Sequence, residues 1–300
     1  MSAPEVTSEL WNGAERRTND FGIPDGITER RTSYLQLLTP TSYVPTFQRE
    51  YEPYTVRTFT EAEDMDAALM VQRMHGASYV QFRYLDESVL IDGRLPDELD
   101  HSRGDNITYL HATANPTMPD FSGEASGRLV DGSFDSLFVS DLHINEEYRE
   151  YIRNLERQGR VIRELGAISL TADAKTLASF SIVRDVVQHS IRSGGNDILL
   201  GSQTAIALRG FKAMFGPKAV RTMGGSTTLQ TGEDKSVRLT PVFSDTKTVL
   251  ADVLDGIQSA DSNEDERSRL AKSLAFLVDG LEESERPDRV SEYLADNSHE

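Results

Sequence analysis

The chain has 300 residues, enough for one large or two small domains with a sizeable buried core. Its 31 Lys and Arg stand against 49 Asp and Glu, and the resulting charge of −18 excludes a protein that grips nucleic acid through its whole surface. With no cysteine, disulfides, cysteine-ligated zinc, iron–sulfur clusters and thiol nucleophiles are excluded together.

Residues 1–50 are polar and broken by Pro4, Gly13, Gly22, Pro24, Gly26, Pro40 and Pro45, and they read as an irregular arm. YTVRTF (54–59) alternates and is rich in strand formers, so it predicts a strand. TEAEDMDAALMVQRM (60–74) follows with a Thr cap, acids in the first turn and apolar residues on a helical period, which predicts a helix. LIDGRLPDELDHSRGDN (90–106) is a charged loop, followed by strands at ITYLHAT (107–113) and near GRLVDG (127–132). A helix over 144–159 carries the stripe Ile144, Tyr148, Tyr151, Ile152 and Leu155, and VIRELGAISL (161–170) is a long strand.

Two strand–helix units follow. The helix 177–195 closes on Gly194-Gly195, DILLGS (197–202) is a short apolar strand, and the helix 203–216 ends at Gly216-Pro217. AVRTMGG (219–225) and VRLTPVFSD (237–245) read as closing strands joined through the turn-rich TGEDK (231–235). Residues 246–256 and 264–294 read as peripheral acidic helices, DERSRLAKSLAFLVDGL being amphipathic, followed by a frayed end. The expected organisation is the arm 1–50, a main domain over 51–250 and the tail 251–300. The expected fold class is α+β, with a mixed central sheet and helices on both faces.

No stretch approaches about 18 consecutive apolar residues, and the start MSAPEVTSELWNG lacks the basic and apolar regions of a leader. The expectation is a soluble cytoplasmic protein without a membrane span. The charge is uneven: residues 157–250 hold 13 basic and 7 acidic side chains, whereas the last fifty hold 14 acidic and 5 basic. One basic segment inside an acidic chain suits a local anionic ligand, and scattered surface charge accounts for it equally well. Phosphate-loop, zinc-protease, nucleophile-elbow and dinucleotide motifs are all missing. The six histidines form no ligand pair, and Asp97, Glu98 and Asp100 lack the glycine turn of a calcium loop, so no metal is expected.

The strand with Arg163-Glu164-Leu165-Gly166, helix 177–193, strand DILLGS, helix 203–215 and AVRTMGG resemble the core of the GCN5-related N-acyltransferases. The likeness is nearest to the branch of acyl-homoserine-lactone synthases and long-chain N-acyl amino acid synthases. DELDHSRGDNITYLHAT resembles that branch's acidic loop and following strand, with Tyr109-Leu110-His111-Ala112, and Leu239-Thr240-Pro241-Val242-Phe243 its closing strand. Leu165, Gly166, Ala167 and Ile168 stand where autoinducer synthases carry an Arg, and TADAKT replaces the pyrophosphate loop of ordinary acetyltransferases.

The resemblance implies a fold in which the fourth and fifth strands splay and a pantetheine arm lies in the gap. It implies that acyl groups pass from acyl-CoA or an acyl-carrier protein, as donor substrate with no permanently bound cofactor, to a small-molecule amine or amino acid. Glu164 is then the general base, flanked by apolar residues. Ala172, Asp173, Ala174, Lys175 and Thr176, at the start of the following helix, would face the donor's phosphates, with Arg184, Arg209 and Lys212 adding charge. Arg73, Asp100 and Arg163 are the expected substrate-binding residues, and a carrier protein is a possible partner. The alternative is a non-catalytic descendant of the fold, acting as a ligand-sensing or protein-interaction module. Nucleic acid is not an expected partner.

Overall fold

The computed structural model describes residues 53–95, 106–117, 120, 122–232, 234–260 and 263–297; the expected arm 1–50 and Asp97, Glu98 and Asp100 lie outside them. The strands are β1 (Tyr54–Thr60), β2 (Ile107–Ala114), β3 (Glu124–Asp131), β4 (Val161–Leu170), β5 (Asp197–Gln203), β6 (Arg221–Thr222), β7 (Thr227–Gln230) and β8 (Ser236–Asp245). The helices are α1 (Met65–Gln81), α2 (Glu146–Arg157), α3 (Thr176–Arg192), α4 (Ala205–Ala219), α5 (Val249–Ser259), α6 (Glu264–Val278) and α7 (Asp288–Asp296).

The strands form one mixed sheet in the order β1-β2-β3-β4-β5-β8-β6, with β7 beside β8. Every pairing is antiparallel except β4 with β5, which run parallel because α3 carries the chain across between them. Helices cover both faces, as the alternation of apolar residues predicts. One core packs α3, α4, α5 and α6 against Leu110, Leu129, Leu165 and Leu199; the other packs α1, α2 and the turns at 134–141 against Tyr109, Val130, Ile162 and Leu200.

Two readings need correction. The first helix starts at Asp64, whose Oδ1 accepts from the Ala67 N–H at 3.0 Å. Thr60 is engaged instead by Glu63, whose carboxylate accepts from the Thr60 N–H and hydroxyl. The helices expected over 246–256 and 264–294 are not peripheral: Val253, Leu254, Leu270, Leu274 and Leu277 are fully or almost fully buried in the first core. The expected amphipathic pattern holds, and its apolar face is one that the body requires.

β4 contains a bulge. Arg128 pairs with Gly166 and Ser126 with Ser169, so Ala167 and Ile168 together oppose Gly127. Ala167 takes a φ of +49°, the left-handed region that disfavours a residue with a Cβ. Such a bulge bends its strand and increases the local twist. Ala167→Gly is therefore expected to stabilise the protein by about 0.5–1 kcal/mol, and Ala167→Val to destabilise it by more than about 1 kcal/mol, in urea denaturation.

Candidate active site

Parallel pairing between β4 and β5 runs from Val161–Asp197 to Glu164–Leu200 and stops there. β4 continues to Leu170 along β3, while β5 continues to Gln203 along β8. Among the described residues, no strand pairs with the β5-facing edge of β4 beyond Glu164. The bulge at Ala167 lies just past the last rung and accounts for the divergence. The throat of the opening is narrow: a Cβ on Gly201 would stand 3.0 Å from the Leu165 carbonyl oxygen.

Glu164 occupies that last rung, 7% exposed, with Val130 beside it on β3 and Leu200 on β5. Its side chain shares a face with Ile162 and Leu200, and Oε2 accepts from the Val139 N–H at 3.2 Å. The turn Phe138–Asp141 supplies that amide, a contribution that no motif announces. The same face carries Arg128, opposite Gly166, and Tyr109, opposite Arg128, whose hydroxyl accepts from Gln72 Nε2 of α1 at 2.6 Å.

On the other face lies an apolar cavity of about 70 Å³. Leu165 and Ile168 of β4 and Leu199, Gly201 and Gln203 of β5 border it, as do Val183, Val187, Phe211 and Phe215 of α3 and α4. Phe211 and Phe215 stack at 6.2 Å, and Phe180 meets both edge-on at 5.8 Å. Their positions on predicted helices, four residues apart at 211 and 215, were the available signal; the cavity itself was not legible.

The remaining expected residues are dispersed. Ala172 to Thr176 form the turn into α3 at the far end of β4, roughly 20–25 Å from Glu164 by strand rise. That turn packs against the segment before β3: the Lys175 ammonium donates to the Asp120 carbonyl, and Ser122 Oγ donates to the Asp173 carbonyl at 3.1 Å. The Ala174 N–H is bonded to the Thr171 carbonyl. Burial pushes the nearby Tyr54 hydroxyl upward, the Lys175 amide opposing and Asp173 adding to the rise. Arg73 is exposed on α1, and Asp100 lies outside the described residues.

Arg163 points away from Glu164, as neighbours on a strand must, and stands 3.0 Å from Asp131 and 3.2 Å from Asp197. Arg160 pairs with Asp245, so each of the two arginines near Glu164 in the sequence has another carboxylate partner. Arg184, expected near the donor, is 5% exposed, 3.8 Å from Asp279 and 4.8 Å from the Phe276 ring centroid. Lys218, Arg221 and Lys235 likewise pair with Asp255, Asp252 and Asp86. Much of the basic segment thus neutralises acidic residues from the chain on either side of it. Among the described residues no cluster of three or more potential metal ligands forms, and no helix is long and apolar enough to cross a membrane.

No protein-family profile matches the chain, and no curated protein does. Solved structures similar to it include FeeM, an N-acyl amino acid synthase from uncultured soil microbes: 13% identity, TM-score 0.44, covering 66% of this chain and 94% of that one. The acyl-homoserine-lactone synthase LasI matches at 14% identity and TM-score 0.41, over 65% of this chain and 93% of its own. BjaI, a CoA-dependent acyl-homoserine lactone synthase solved with SAM and isopentyl-CoA, matches at 14% and 0.44, over 75% and 98%. These are the kinds of protein that the sequence resembles. At such identities and scores they decide neither the chemistry nor the architecture, which rests on the strand order and register above.

Burial raises the Asp131 carboxyl from its ordinary value, Arg163 opposing and Asp197 reinforcing the rise. A raised carboxyl stabilises the folded state most below its ordinary range, and that stability is lost as pH rises through the raised value. Arg163→Gln removes the opposing cation and leaves Asp197 buried without it. The expected loss is about 3–5 kcal/mol in urea denaturation, larger at about pH 7 than at about pH 5. A pure substrate-binding role for Arg163 would leave stability unchanged.

Proposed function

We propose that this protein is an N-acyltransferase moving an acyl group from acyl-CoA or an acyl-carrier protein to a small amine or amino acid. One observation carries the reading: two parallel central strands part at the rung of a buried carboxylate, with an apolar cavity behind the opening. An extended thioester arm can add to the free edge of β4 as a further strand would. Its acyl tail then enters the cavity, and its carbonyl lies at the throat between Glu164 and Gly201.

The chemistry follows from that placement. Glu164 takes a proton from the acceptor ammonium, and the free amine attacks the thioester carbonyl carbon. A C–N bond forms and the carbonyl electrons move onto oxygen, where N–H groups on the open edge of β4 stabilise the charge. The intermediate collapses by breaking the C–S bond, and the proton that the now cationic nitrogen loses passes to the departing thiolate, which leaves as the thiol. The Val139 N–H holds the Glu164 carboxylate in place throughout. The donor's phosphates would meet the turn 172–176, where Lys175 and the Ala174 N–H already have protein partners. That occupied turn is the observation that favours the second reading, a non-catalytic module, or a donor whose phosphates are held by a carrier protein.

Free-thiol release from acyl-CoAs of graded length, assayed against a panel of amines, tests the proposal. Glu164→Gln is expected to lower the rate about 10²–10⁴-fold with an unchanged melting temperature. Thiol release that survives the substitution would remove Glu164 from the mechanism. Absence of release with every amine, together with no CoA-induced thermal shift, would overturn the enzyme reading.

A further inference from the structure

Behind the opening between β4 and β5, the cavity has a wall that the sheet and its two covering helices do not provide. Leu277 of α6 and Val249 at the start of α5 reach it from the C-terminal segment. Leu277 is fully buried and meets the cavity from the side of α3 and α4, on which α6 packs. Three α3 side chains spaced one turn apart fasten this part of the chain. Arg184 pairs with Asp279 at 3.8 Å and lies over Phe276; Gln188 Nε2 donates to the Leu277 and Asp279 carbonyls at 2.8 and 2.6 Å; Arg192 donates to the Gly280 carbonyl at 2.7 Å. Positions 184, 188 and 192 therefore form one stripe of α3 dedicated to the end of α6.

We propose that Leu277 is the gauge of acyl-chain length, held in position by the Arg184–Gln188–Arg192 stripe, so that the donor carries a short acyl chain. The inference rests on the acyltransfer reading and names its substrate class. A cavity of about 70 Å³ holds roughly two to three groups at the ~30 Å³ each water-sized group takes, which fits an acyl chain of roughly two to four carbons and not a fatty one. Gln188 bonds the backbone carbonyl of Leu277 itself, so the end of α6 that carries this side chain cannot withdraw without breaking a buried hydrogen bond. Leu277 is the specificity-determining residue and Gln188 a positioning residue that acts through it.

The test uses the whole chain and acyl-pantetheine thioesters from acetyl to dodecanoyl, a probe common to both classes of donor. It reads thiol release with pooled amines and thermal shift for binding. The wild type is expected to work fastest with acetyl to butyryl and at least about tenfold slower with decanoyl. Leu277→Ala is expected to raise the decanoyl rate about tenfold while butyryl stays within about threefold, and the milder Leu277→Val to move the profile in the same direction. Gln188→Ala is expected to raise the decanoyl-to-butyryl ratio, which a merely structural role would leave unmoved. If no thioester of any length is bound or turned over, the acyltransfer reading falls and the gauge with it. If thioesters react but the wild type handles decanoyl as well as butyryl, the gauge alone is overturned. An unmoved profile in Leu277→Val has the same meaning, even where Leu277→Ala does not fold.

Discussion

The constraint on which the rest of this molecule depends is the end of strand pairing at the Glu164–Leu200 rung. A parallel pair in the middle of a sheet is ordinarily covered on both faces and bonded along both edges. Leaving an edge unpaired beneath covering helices is costly, because buried N–H and C=O groups lose partners they would have in water. Here the bulge at Ala167 turns β4 away, β8 keeps β5 straight, and the helices on each face hold the two diverging strands in place.

The opening separates two chemistries. One face presents a carboxylate fixed by a backbone amide, with Arg128 and Tyr109 further along the same face. The other presents mainly apolar side chains and closes against α3 and α4, with Val249 and Leu277 added from the last fifth of the chain. A reaction needing a proton acceptor on one side of a carbonyl and an oily seat on the other finds both across one sheet. The C-terminal segment is therefore part of the body in two senses: it completes the first core, and it bounds the cavity.

The sequence revealed the period-based features well. β4 spans 161–170 as its apolar content suggested, α3 stops at Gly194 and Gly195 with positive φ, and Gly216-Pro217 kinks α4 where an end was expected. Glu164 stood out as a charge inside an apolar strand. What stayed hidden were features fixed by long-range geometry. Arg184 reads as a helix-surface cation, yet its burial depends on Phe276 and Asp279, nearly a hundred residues away. The amphipathic helix at 265–281 was legible, but its place in the core was not, because an apolar face does not say which part of the body it packs against. The basic excess over 157–250 suggested an anion site; pairing with acidic residues on both sides, as at Arg221–Asp252 and Lys235–Asp86, explains much of it.

Hydrogen–deuterium exchange with and without an acyl-pantetheine thioester tests the central claim most directly, because it reads the β4 edge without requiring the acceptor. The account predicts that the ligand slows exchange at the β5-facing amides of residues 165–170 and at 201–203, while the already paired rungs at 161–164 stay unchanged. Protection confined to other parts of the chain, with the amides of 165–170 unaltered, would show that the opening between the strands is not where the donor binds.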